Sequence, residues 1–198
     1  MFFFPKGDKQ LGLQQLKDCT QNAKFSRTEA MWVLAHIHLN YEKNYYEAEK
    51  YSDTLHKMFP ENPIFAKFLG RCYAGLNRWN ESMAIWTEIM QKVDSNKIGF
   101  NNRFMRREAC YYLGLTNMRF NNLDEAIKNY EAALSLSREL DKGSESAFQV
   151  FSALGLGMIY DLKANRQEAL KYYDIVLQMK DIEYSHESAR RFKQQAYK

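Results

Sequence analysis

An all-α fold, built as a solenoid of antiparallel helix pairs, is what this sequence predicts, and three observations predict it. Only 3 prolines and 9 glycines punctuate 198 residues, while Ala, Leu, Lys, Glu and Gln fill the spaces between abundant Tyr and Phe. That balance favours helix over sheet. A helix-turn-helix pattern recurs, most clearly from Glu108 to Leu134, where two helical segments meet at a short polar turn and carry Gly114 and Ala126 at points of close approach. The recurrence has a period: Gly70 follows His36 by 34 residues, and Ser82 follows Ala48 by 34. A fixed spacing of that length is the mark of a helical repeat.

The elements follow in order. After Gly7-Asp8, a helix start signal, Leu11, Leu13, Leu16 and Cys19 lie about one turn apart, giving a half-pair over 7–24. Its first helix would have to end at Phe2-Phe3-Phe4, which suggests a fragment of a longer protein. The first full pair covers 29–60: Thr28 is expected to cap a helix from Glu29 to Tyr41, with Trp32, Ala35 and Leu39 on its buried side. Asn44 breaks it, and a second helix from Tyr45 to Met58 carries Ala48, Tyr51, Leu55 and Phe59 inward before Pro60 to Pro63 closes the unit. The second pair, 63–94, repeats the design around Gly70 and Trp86, with a turn at Leu76 to Asn80.

Gly114 comes 44 residues after Gly70, ten beyond the period, and Gly157 comes 43 after Gly114, nine beyond it. The excess falls in Asp94–Asn102 and Leu140–Ser146, between pairs, where longer helices or loops leave a stack undisturbed. The third and fourth pairs therefore occupy 104–138 and 147–180. The charged stretch 185–197 opens on Ser185, expected to cap its helix, and reads as the polar terminal element that a repeat stack needs.

These residues resemble the tetratricopeptide repeat. Its pattern of Leu-Gly and Tyr on the first helix, then Ala, an aromatic and a closing Pro on the second, is met by Leu69, Gly70, Tyr73 and Trp86, and by Leu113, Gly114, Ala126 and Tyr130. Leu156, Gly157, Tyr160, Ala169 and Tyr173 meet it again, while Trp32, Ala48 and Pro60 match more thinly. The first pair has Ala35-His36 in place of Leu-Gly, and only that pair keeps the proline. The resemblance implies one repeat domain over 1–198, a right-handed superhelix whose first helices line a concave groove for a peptide or helix of another protein. The groove positions it implies are Val33, Ile37 and Asn40, then Lys67, Arg71 and Ala74, then Tyr111, Leu115 and Met118, then Leu154, Met158 and Asp161.

Lys67 and Arg71 stand one turn apart and could hold a carboxylate, although the further residues of a full carboxylate clamp are missing. Beyond them the face turns apolar, and either an external ligand or the chain's own Phe148–Phe151 or Phe192 region could cover it. Self-association as a homo-oligomer is the alternative role.

Chemistry points elsewhere than catalysis. No nucleophile elbow, phosphate loop or metal spacing is present; His36 and His38, two apart on a helix, face different directions. Gly155 and Gly157 sit inside a helical pattern, where packing explains them. No catalytic residue, metal or cofactor is expected. The three cysteines, Cys19, Cys72 and Cys110, read as buried reduced thiols. A net charge of +4 is modest, and the cluster Arg103, Arg106 and Arg107 lacks a nucleic-acid motif, so a solvated helix face is the expected reading and nucleic acid is not an expected partner. No apolar run of about 18 residues spans a membrane. The compartment stays open between a cytoplasmic and an exported location.

Overall fold

A computed structural model describes residues 7–198; the apolar stretch Phe2–Phe4 lies outside the described residues. Ten helices follow one another with no strand among the described residues: α1 (Lys9–Asn22), α2 (Arg27–Asn40), α3 (Tyr45–Met58), α4 (Pro63–Gly75), α5 (Trp79–Asp94), α6 (Arg103–Arg119), α7 (Leu123–Leu140), α8 (Ala147–Leu162), α9 (Arg166–Gln178) and α10 (Ser185–Gln194). Each of α2/α3, α6/α7 and α8/α9 packs as a pair. The chain divides into two compact units, one reaching to Arg78 and one running Trp79–Lys198.

The repeat register is written twice. Between the helices of successive pairs one residue adopts the left-handed backbone: Lys43 (φ 52), Asn77 (φ 58), Asn121 (φ 59) and Ala164 (φ 57). Their spacings of 34, 44 and 43 are those of the glycine positions, so the turns and the packing contacts share one period. Asn suits this conformation, whereas Lys43 and Ala164 carry a Cβ penalty of roughly 1–2 kcal/mol. The extra residues enter partly as helix: α6 and α7 have 17 and 18 residues against 14 each in α2 and α3. The remainder forms a loop in which Phe100 is fully buried beneath Lys92.

Side chains start most helices. Asp8, Asn44, Asn62, Asn102, Ser146 and Asn165 each accept a hydrogen bond from a backbone N–H of the first turn. Two expected caps fall elsewhere. α2 begins at Arg27, so Thr28 is inside the helix and Ser26 takes the cap position. α10 follows Tyr184 in the left-handed region; Ser185 is its first residue, fully buried, accepting from the Ile182 N–H and donating to Asp181 instead.

The first unit buries Met31, Leu34, Leu39, Tyr51, Leu55, Phe65 and Phe68 in one cluster. Trp32 and Phe59, expected inside, are instead 40% and 41% exposed. In the second unit the core is organised by tyrosines set against glycines. Tyr130 of α7 lies against both Gly114 of α6 and Gly155 of α8, and Tyr173 of α9 lies against Gly157. A Cβ at any of the three glycines would come within 3.0 Å of a ring atom, so these helices approach only because the side chain is missing. Those glycines serve packing, as the sequence suggested.

Candidate functional site

In the first unit the implied binding face is carried by α2 and α4. Val33, Ile37, Asn40, Lys67 and Arg71 are all half-buried. The fold brings Asn40 and Arg71 together: the Arg71 Nη2 donates to Asn40 Oδ1 at 2.7 Å, while Asn40 Nδ2 donates to the His36 carbonyl at 3.0 Å and lies 3.1 Å from His36 Nδ1. The His36 ring is itself set among Trp32 at 6.1 Å, Tyr41 at 5.7 Å and Phe68 at 6.0 Å. The result is a polar pair flanked by the partly exposed aromatics Trp32 and Tyr41. Such a surface can offer hydrogen bonds to a peptide backbone and flat apolar contact to its side chains. Sequence reasoning placed Trp32 in the core and gave His36 no place on this face; the i, i+4 spacing of Trp32, His36 and Asn40 was the available signal.

Two residues beyond His36 and on a different face of α2, His38 has a different environment. It is 7% exposed, stacks on Tyr51 at 6.3 Å, and neither ring nitrogen has a hydrogen-bond partner. Burial lowers its pKa from 6.5; the carboxylates of Glu47 and Glu42 oppose this and Lys17 adds to it. A base held neutral in the fold but free to protonate when unfolded gives stability that is full above the unfolded value and is lost as pH falls below it. The melting temperature should therefore drop as pH is taken from 7.5 to 5, and His38→Phe should flatten that dependence. An unchanged slope in the variant would show that His38 does not carry it.

In the second unit the implied positions lie on α6 and α8, and their exposure differs. Tyr111, Leu115 and Met158 are half-buried, whereas Met118 and Leu154 are 8% and 7% exposed and belong to the core around Tyr130. Gly155 explains this, because it lets α8 close onto the Tyr130 ring and draws its neighbour Leu154 inward with it. Tyr111 meets Tyr112, Tyr130 and Phe148 edge-on at 5.0, 5.9 and 5.3 Å. Phe148, from the start of α8, thus covers part of this face from within the chain.

At the far end of α8 the Asp161 carboxylate, its side chain fully buried, accepts from Arg166 through both oxygens at 2.9 Å, from the Tyr173 hydroxyl at 2.8 Å and from the Tyr197 backbone N–H at 2.9 Å. Burial and the neighbouring carboxylate push the Tyr173 hydroxyl well above its usual range, so it stays a donor. Sequence reasoning placed Asp161 on the implied binding face but had no signal for its link to Tyr197.

The remaining titratable groups are not arranged for nucleophilic work. Burial pushes the Cys72 and Cys110 thiols up to about 12 and about 11, which keeps both protonated near neutral pH. Among the described residues no three His, Cys, Asp or Glu side chains converge as metal ligands, and no helix is long and apolar enough to cross a membrane. Arg103, Arg106 and Arg107 are each paired with a carboxylate, from Glu139, Asp94 and Asp141.

Stacked helix pairs with glycine–aromatic contacts and a period of 34 residues define a helical-repeat protein. Residues 107–181 match the family model described as tetratricopeptide repeat. The crystal structure of MamA superposes with a TM-score of 0.60 at 17% identity, covering 96% of this chain and 99% of that one. The structure of YrrB, described as a TPR protein with an unusual peptide-binding site, gives 0.61 at 19% identity, covering 93% and 83%. No curated protein matches significantly. Residues 107–181 thus carry the tetratricopeptide-repeat signature, and the described chain, all-helical and built from consecutive helix pairs, has the fold of these repeat proteins.

Proposed function

We propose that this chain is a non-catalytic interaction scaffold that binds a peptide or helix of a partner protein on its first-helix faces. The observation that carries the reading is the face of α2 and α4, where Asn40 and Arg71 form a polar pair beside the exposed aromatics Trp32 and Tyr41. Half-open Tyr111, Leu115 and Met158 supply an apolar counterpart on the second unit. A tetratricopeptide-repeat fold supports a role in protein interaction, and YrrB is a relative in fold with a peptide-binding site.

Screening a peptide array with the intact chain and with Lys67→Glu and Leu115→Glu tests this. Reversing a charge or inserting one in an apolar contact should cost about 1–3 kcal/mol of binding, roughly tenfold or more, for peptides held there. Both variants should keep the helical circular dichroism of the parent. Recovery of the same peptides with equal strength by all three proteins would refute the assignment.

A further inference from the structure

After α10 the chain continues in extended backbone, with Gln195 at φ −132 and ψ 117, and turns onto the end of α8. There the Tyr197 N–H donates to Asp161 Oδ2 at 2.9 Å, and the Tyr197 ring meets Phe192 edge-on at 5.2 Å against the core cluster containing Leu154, Tyr130 and Tyr173. Asp161 is one of the first-helix positions on the implied binding face. The tail thus gives that face what a bound peptide would give: a backbone amide to an acceptor and a side chain to an apolar seat.

The seat does not depend on the tail. Without Tyr197, Asp161 would still be held by Arg166 and the Tyr173 hydroxyl, and α10 would still be tied down by the Arg166 Nη2 donating to the Lys193 carbonyl at 2.7 Å. The tail, by contrast, is lightly held. Gln195 and Lys198 are exposed, Ala196 and Tyr197 are half-buried, and a cleft of about 260 Å³ opens beside them, lined also by Arg191 and Phe192.

We infer that residues 195–198 are an internal ligand, a displaceable plug on the Asp161 seat. The seat takes an extended segment with an aromatic residue whose own N–H reaches the carboxylate. The inference rests on the first-helix faces being binding surfaces.

The test uses the 198-residue chain and a labelled, N-acetylated peptide of sequence Gln194-Gln-Ala-Tyr-Lys198. In the intact protein the tethered tail competes at an effective concentration of order mM, so the peptide should bind Tyr197→Ala on the order of tenfold more tightly than the parent. A peptide with Ala for Tyr should bind neither. In the parent, the Tyr197 amide should exchange with solvent much faster than the amides of α9, through local release. Equal binding to both proteins, binding to neither, or a Tyr197 amide as protected as α9 would make the tail a fixed cap and overturn the inference. The peptide-array outcome for Lys67→Glu, in the other unit, is read independently, so a failure of the plug is distinguished from a failure of the binding-face reading.

Discussion

Replacing Tyr130 by Ala should destabilise the second unit by about 3–5 kcal/mol, the cost of deleting a large buried aromatic ring. Tyr130 is 2% exposed and fills the space left by two glycines on different helices, Gly114 of α6 and Gly155 of α8. With backbone rather than side chains lining those two sides, the cavity can shrink only if helices move, which favours the upper part of the range. The converse change probes the same contact. Gly155→Ala gains about 1 kcal/mol of helix propensity, but its Cβ would stand 2.7 Å from Tyr130 Cε2, and overpacking of that kind costs about 1–3 kcal/mol. Gly155→Ala should therefore lower the urea midpoint in the parent and raise it in a Tyr130→Leu background. A Gly155→Ala variant more stable than the parent would mean that the ring and the helix are not in conflict.

The difference between what periodicity reveals and what it hides runs through this protein. Gly114 and Gly157 announce the pairs because a missing side chain at a fixed spacing has one structural use, and the left-handed residues at 43, 77, 121 and 164 repeat the same register. Two helix starts were legible, at Asp8 and after the break at Asn44, and each of those side chains accepts from the first turn of its helix. Others were misread, at Thr28 and Ser185, where a neighbouring residue takes the cap position.

The proposed binding face was legible only as a set of helix positions. Which of those positions stay open depends on how far adjacent helices close, and that closing buries Met118 and Leu154 while Tyr111, Leu115 and Met158 remain half-open. Pairings between residues far apart in sequence were invisible. Asn40 with Arg71 and Asp161 with Tyr197 join residues 31 and 36 apart, and no local pattern encodes either bond.

Arg107→Ala should cost about 3–5 kcal/mol, against about 0–1 for Arg103→Ala, although the two residues belong to one basic cluster in the sequence. The Arg103–Glu139 pair is more than half exposed on both sides, so water replaces either partner readily. Arg107 and Asp141 are different: their side chains are 10% and 9% exposed, 2.6 Å apart, with the guanidinium over the rings of Phe148 at 4.8 Å and Phe104 at 5.5 Å. Asp141 also accepts from the Ser146 N–H and hydroxyl, so the pair ties the start of α6 to the end of α7 and the start of α8. Removing the arginine leaves a buried carboxylate short of its strongest partner. Removing both charges, as Arg107→Met with Asp141→Leu, should recover most of the loss, because apolar residues of similar size replace a buried pair at little cost. About 1 kcal/mol should remain unrecovered, since Ser146 then loses its acceptor. Urea unfolding of the four proteins measures this directly: equal losses for Arg107→Ala and Arg103→Ala, or a double variant weaker than Arg107→Ala, would show that the pair does not bind the three helix ends together.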